Sequence, residues 1–103
     1  MIKGDRKMRK YLAIGHFKEN KNITCVASKS YTLKEFRKDL YGNGFIPYVV
    51  ITEKMMKKIS ELDCMDLFDQ VKKMTSNYRI WNDVADYIDQ CCDIMQEKFE
   101  LAE

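Results

Sequence analysis

The apolar run from Phe45 to Ile51 contains the only proline of the chain, Pro47, and this residue constrains the sheet that the chain can form. Proline has no backbone N–H, so it cannot donate a hydrogen bond to a neighbouring strand. A strand that contains it is therefore favoured at the edge of a sheet. The run has seven residues, which suits a strand and is far below the roughly 20 apolar residues that span a bilayer.

Two more β-prone runs precede this one, Tyr11 to Phe17 and Ile23 to Ala27, and residues 18–22 between them have the composition of a turn. They predict a β-hairpin in which Phe17 pairs with Ile23. A right-handed crossover through the next helix would carry the third strand to the free side of the first. The sequence thus predicts a three-stranded antiparallel sheet in the order 2-1-3.

Four helices are predicted, and a capping residue precedes each of the first three: Thr32, Thr52 and Asp63. Leu33 belongs to the expected core of the first helix. The third helix has its apolar side at Met65, Phe68, Val71 and Met74. In the last helix apolar residues recur every three or four positions, at Trp81, Val84, Ile88, Cys91, Met95, Phe99 and Ala102. The pattern β-β-α-β-α-α-α predicts one α+β domain over residues 10–103, after a basic flexible arm at residues 1–9.

Catalytic chemistry has little support in the sequence. The chain has one histidine, His16, and a dyad would have to pair it with Cys25 across the hairpin. The predicted pairing places these two side chains on opposite faces of the sheet. Cys91 and Cys92 point about 100° apart on a helix and do not chelate a metal together. We expect no metal, no cofactor and no enzymatic activity.

The first ten residues are basic but lack the apolar segment and cleavage site of a secretory signal. No apolar stretch is long enough to cross a membrane. We therefore expect a cytoplasmic protein with no membrane contact, whose cysteines stay reduced.

Charge is divided unequally between the two halves of the chain. Residues 1–60 contain 14 Lys/Arg and 5 Asp/Glu, which gives a net charge of +9. Residues 61–103 contain 4 Lys/Arg and 11 Asp/Glu, which gives a net charge of −7. Such asymmetry indicates charged partners.

Carboxylates form a line on the last predicted helix, away from its apolar side: Asp83, Asp86, Asp93, Glu97 and Glu100. Lysine is nearly absent from this line, so the negative charge is uncompensated. The preceding helix could add a second row with Asp63, Asp66 and Asp69. These eight residues are the candidate partner-binding residues. The alternative is that both rows only keep the surface solvated.

A second apolar line, Tyr87, Ile94 and Leu101, runs beside the carboxylates at heptad spacing. The combined apolar arc is too wide for a helix that covers one core. Either the preceding helix or another chain must cover this flank, and self-association as a homodimer is one expectation.

The basic half provides the alternative function. The arm carries Lys3, Arg6, Lys7, Arg9 and Lys10, and the first helix carries Lys34, Arg37 and Lys38. In this hypothesis both contact phosphates of a nucleic acid, and the protein is a nucleic-acid-binding or regulatory accessory protein.

Small size, frequent Lys, Asn, Ile and Met, and a β-β-α-β start followed by acidic helices resemble the small phage and mobile-element proteins of Firmicutes, among them the anti-CRISPR proteins. The resemblance implies a protein or ribonucleoprotein target, a CRISPR nuclease, in the host cytoplasm. The acidic helices would then occupy the basic channel in which the nuclease holds nucleic acid.

Overall fold

The computed structural model describes residues 7–102, apart from the side chain of Cys64. The elements are β1 (Arg9–Phe17), β2 (Asn20–Ser30), α1 (Leu33–Gly42), β3 (Phe45–Thr52), α2 (Glu53–Ile59), α3 (Cys64–Met74), a 3₁₀ turn (Tyr78–Ile80) and α4 (Trp81–Glu100). Both neighbours of β1 run antiparallel to it, in the order β2-β1-β3. The predicted α+β class, the strand order and the edge position of the Pro47 strand are confirmed. Residues 1–6 of the predicted arm lie outside the described residues.

The inner strand β1 is buried on both faces. Leu12 and Ile14 are fully buried on the side of α2, α3 and α4, whereas Tyr11 and Ala13 pack on the side of α1. The rings of Tyr11 and Phe36 of α1 stack with 5.2 Å between their centroids. A continuous apolar run such as residues 11–14 is typical of a strand that is covered on both faces. The sheet is therefore the middle of three layers.

Gly15 lies where β3 comes closest to β1. A Cβ there would overlap the carbonyl oxygen of Ile46 and would lie 2.8 Å from the Cα of Pro47. The pairing of β1 with β3 is irregular between Ile14 and Gly15, and its pairing with β2 is irregular between Gly15 and Phe17. Glycine is required at this position because no side chain fits between the two backbones.

The hairpin is tighter than the sequence predicted. Phe17 pairs with Asn20 and not with Ile23, which leaves a two-residue loop and makes β2 eleven residues long. The composition of residues 18–22 indicated a turn, but its last three residues extend the strand. The Asn20 side chain accepts a hydrogen bond from the N–H of Asn22 at 2.9 Å. The irregularity after Gly15 then shifts the register along the rest of the hairpin.

This register also changes the position of His16 relative to Cys25. Cys25 lies opposite Ile14, and Ile14 and His16 are two residues apart in β1. Residues two apart in a strand share a face, so the prediction that His16 and Cys25 lie on opposite faces is wrong. His16 makes other contacts. Its ring centroid is 5.6 Å from that of Tyr48, and its Nδ1 donates a hydrogen bond to the carbonyl of Phe17 at 2.8 Å.

The three predicted helix caps are confirmed. Thr32 Oγ1 accepts a hydrogen bond from the N–H of Glu35 at 3.1 Å. Thr52 and Asp63 make the same contact three residues along the chain, at 3.3 Å and 2.9 Å. Gly44 follows α1 with φ +75°, as expected for a left-handed residue after a helix. These local signals fix where the helices begin and end.

Two residues predicted in the core are exposed: Leu33 is 39% exposed and Met65 is 80% exposed. The rest of the predicted apolar side of α3 contacts the core, because Val71 is buried and Phe68 and Met74 pack against the core cluster. Leu67, which the prediction left out, is also buried.

Replacement of Gly15 by Ala should lower the free energy of unfolding by about 3 kcal/mol, because the β3 backbone must move to admit the methyl group. Gly42 is the matched control, since a Cβ there meets nothing within 4 Å. Gly42→Ala should change stability by less than about 1 kcal/mol. Urea unfolding followed by circular dichroism measures both, and equal stabilities of the two variants would contradict this packing.

Candidate functional site

The carboxylates of the predicted line on α4 are all exposed, and we call them the acidic face: Asp83, Asp86, Asp93, Glu97 and Glu100. Helix α4 contains six acidic residues and one basic residue, Lys98. The Lys98 ammonium donates a hydrogen bond to the backbone carbonyl of Cys25 at 2.7 Å. The ammonium of the one cation of the helix is thus held at β2, while the Lys98 side chain stays exposed.

The acidic face is bent, whereas the prediction placed its five carboxylates on one line. Cys91 has φ −120° and ψ 21°, which are not helical values, so α4 consists of two helical segments. Asp83 and Asp86 belong to the first segment, and the other three carboxylates belong to the second. Ile88 and Met95 are both buried, so both segments contact the core. The bend lets a helix of twenty residues follow the core surface.

The first segment borders an open groove of about 360 Å³. One wall is formed by α4 residues that include Asp83, Asp86 and Gln90, and the other by the hairpin residues 21–23. The rings of Tyr48 and Tyr87 also line the groove. Lys21 is the one cation among the described lining residues. Two carboxylates beside aromatic rings are a suitable environment for a Lys or Arg side chain of a partner.

Tyr87 is held by its own chain. Its side chain packs against the core cluster, and its hydroxyl lies beside the side chains of Cys25 and Thr24. Burial, and then the hydrogen bond with Cys25, raise the pKa of Tyr87 well above its ordinary value. Strand β2 therefore covers the first residue of the predicted self-association flank.

The other two residues of that flank remain exposed. Ile94 is 49% exposed and Leu101, which follows the end of α4, is 71% exposed. Apolar side chains at such positions lose surface to water if a second molecule covers them. Self-association through this flank stays a prediction, and it now depends on Ile94 and Leu101.

The three acidic residues of the second row are exposed and differ in role. Asp63 caps α3, and its carboxylate accepts the N–H of Asp66. Asp66 and Asp69 lie within α3. Helix α3 packs against α4, but its own Lys72 and Lys73 offset the charges of Asp66 and Asp69.

The basic residues are divided between different parts of the fold. Lys34, Arg37 and Lys38 are exposed on α1, which lies on the face of the sheet opposite to α4. The ammonium of Lys10 donates a hydrogen bond to the backbone carbonyl of Glu100 at 3.0 Å. Of the predicted arm, Lys3 and Arg6 lie outside the described residues, while Lys7 and Arg9 are exposed.

Cys92 is the described cysteine whose pKa is clearly shifted. Burial raises the pKa of its thiol, and the neighbouring carboxylate of Asp93 raises it further. A raised pKa keeps the thiol protonated, and the protonated thiol is a poor nucleophile. Among the side chains that the structure describes, which leave out that of Cys64, no three His, Cys, Asp or Glu groups come close enough together to hold a metal ion.

The protonated hydroxyl of Tyr87 should make stability depend on pH above 10. In the unfolded chain this group ionises near its ordinary pKa of 10.0, whereas folding raises the pKa. The stability that it contributes is therefore complete below pH 10 and is lost as the pH rises further. As the pH rises above 10, we expect the free energy of unfolding of the wild type to fall relative to that of the Tyr87→Phe variant.

Urea unfolding of both proteins between about pH 8 and pH 11 measures this difference. Tyr41→Phe is the control, because the Tyr41 side chain is 56% exposed. A difference between wild type and Tyr87→Phe that stays constant over this range would contradict the burial of the hydroxyl.

No helix in the described part of the chain is both long and apolar enough to cross a membrane. Comparison of the chain with protein-family models, with curated proteins and with solved structures finds no match. The function must therefore be argued from the surfaces of this fold.

Proposed function

We propose that this protein is a non-enzymatic binding protein whose acidic face occupies a basic surface of another macromolecule. The observation that carries this proposal is the exposure of all five carboxylates of the acidic face on a helix with six acidic residues and one basic residue. Exposed carboxylates without interspersed lysines keep a negative field at the surface. Such a field attracts a surface that is rich in Lys and Arg.

The spacing of the charges makes α4 alone a poor mimic of a nucleic-acid strand. The five carboxylates of the acidic face extend over about 26 Å, which gives about one charge per 5 Å of helix. A single nucleic-acid strand has one phosphate per ~3.4 Å, so the acidic face is less dense than the strand that it would displace. Asp66 and Asp69 of α3 lie in the same layer, where Lys72 and Lys73 of α3 offset their charge. Contacts with the groove at Tyr48 and Tyr87 would supply the rest of the affinity.

The partner that we propose is a CRISPR nuclease, either the free protein or its ribonucleoprotein, in the cytoplasm of a bacterial cell. This follows from the resemblance to anti-CRISPR proteins. A CRISPR nuclease holds its guide–target duplex in a positively charged channel. A helix that presents carboxylates could enter that channel and exclude nucleic acid by occupancy.

The protonated thiol of Cys92 supports a binding role over an enzymatic one. The thiol of Cys92 has a raised pKa. General acid–base and nucleophilic catalysis both need a reactive group and a partner that orients it.

Reversal of Asp86, Asp93 and Glu97 to lysine should abolish target binding, because three attractive contacts become repulsive. We expect affinity to fall at least about a hundredfold. The matched control is reversal of Lys34, Arg37 and Lys38 to glutamate, which should change affinity less than about threefold. Direct binding to purified, guide-loaded CRISPR nucleases and inhibition of their DNA cleavage are the two readouts.

The alternative nucleic-acid-binding function predicts the opposite ranking of the two triple variants. Equal tolerance of both variants would leave the acidic face as a solvated surface. A wild-type chain that binds none of the nucleases would contradict the proposed target.

A further inference from the structure

An open groove of about 830 Å³ lies at the end of the sheet where β1 begins. It is lined by residues 7–11, by Tyr31 between β2 and α1, and by residues 52–54 where β3 passes into α2. Its lining residues include none of the acidic face and none of Lys34, Arg37 and Lys38. The groove therefore has its own lining, and it adjoins the acidic face where the ammonium of Lys10 contacts the backbone carbonyl of Glu100.

The walls of this groove carry an excess of positive charge. Lys7, Arg9 and Lys54 line it and are exposed. Lys10 also lines it, although its ammonium reaches the carbonyl of Glu100. Among the described lining residues the one acid is Glu53, which accepts a hydrogen bond from the backbone N–H of Lys10 at 3.0 Å. The groove thus suits a ligand with several negative charges.

The groove also offers an aromatic surface. Tyr31 is 44% exposed and Met8 is 47% exposed, so part of each apolar surface is open to a ligand. The ring of Tyr11 is buried and stacked on Phe36, which fixes the base of the groove. Tyr31 is itself fixed, because only two residues separate the end of β2 from the start of α1.

We propose that this groove binds single-stranded nucleic acid, with phosphates on Lys7, Arg9 and Lys54 and a base stacked on Tyr31. Proteins that bind single strands combine a basic groove along the backbone with aromatic rings on which bases stack. The bases of a duplex are already stacked on one another, so a duplex offers no unstacked base to the ring of Tyr31. The inference goes beyond the proposed function and does not depend on it.

The sequence pointed to a different set of basic residues. It grouped the N-terminal arm with Lys34, Arg37 and Lys38, whereas the structure brings the arm next to Lys54 and Tyr31. Residue 54 is 45 positions from Arg9 in the sequence, and only the pairing of β1 with β3 makes them neighbours.

Binding of a fluorescein-labelled oligothymidylate of about 20 nucleotides to the full chain, measured by anisotropy at about 50 mM salt, tests this proposal. The variant Arg9→Glu/Lys54→Glu should bind at least about tenfold more weakly, because two phosphate contacts become repulsive. The control Lys34→Glu/Lys38→Glu makes the same change in net charge and should lose less than about threefold. Arg9→Gln/Lys54→Gln should shift affinity in the same direction by a smaller factor.

The aromatic contact is tested separately. Tyr31→Ala should weaken binding by about five- to tenfold or more, whereas Tyr31→Phe keeps the ring and should bind like the wild type. Reversal of Asp86, Asp93 and Glu97 should not weaken binding of the oligonucleotide. Failure of this proposal is thereby distinguished from failure of the proposed function.

Three results would overturn the proposal. Equal losses in the two charge-reversal variants would show that only the overall charge of the molecule matters. If the Tyr31→Ala variant bound with full affinity, no base would stack on Tyr31. Tighter binding of a DNA duplex, or of vesicles that contain phosphatidylglycerol, than of the oligothymidylate would assign the groove to a different anionic surface.

Discussion

Burial of β1 on both of its faces is the constraint on which the rest of the structure depends. Leu12 and Ile14 face the layer of α2, α3 and α4, and Tyr11 and Ala13 face α1. Neither layer has a complete core without this strand, because each core includes two of its side chains. Gly15 then lets β3 approach so closely that no side chain fits between the backbones.

The charged surfaces follow from this arrangement. Two lysines, Lys10 and Lys98, donate hydrogen bonds to carbonyls of Glu100 and Cys25 and so fasten α4 to both neighbouring strands. These contacts stabilise the packing of α4 and hold both ammonium groups at backbone carbonyls. Lys7 and Arg9 lie at the same end of β1 as Lys10, near Lys54. The acidic face and the basic groove therefore adjoin where Lys10 contacts Glu100.

The sequence predicts the strand order well, because Pro47 and the handedness of the crossover act through general rules. The helix starts are also predictable, since Thr32, Thr52 and Asp63 cap by local contacts. The hairpin register is not, because the irregularity at Gly15 depends on the approach of β3, which is distant in sequence. The bend at Cys91 has no proline or glycine to signal it. The acidic residues could be identified from sequence, but the contact of Lys98 with the Cys25 carbonyl and the groove at Arg9 require the tertiary structure.

Amide hydrogen exchange of Leu12, Ala13 and Ile14 tests most directly whether both cores depend on β1. If it is, these amides exchange only when the whole domain unfolds, and their free energy of exchange equals that from urea unfolding. The amide of Phe36 in α1 and that of Ile88 in α4 provide one reference in each outer layer. Exchange of the β1 amides at a free energy at least about 2 kcal/mol lower, while Ile88 stays protected, would contradict the account.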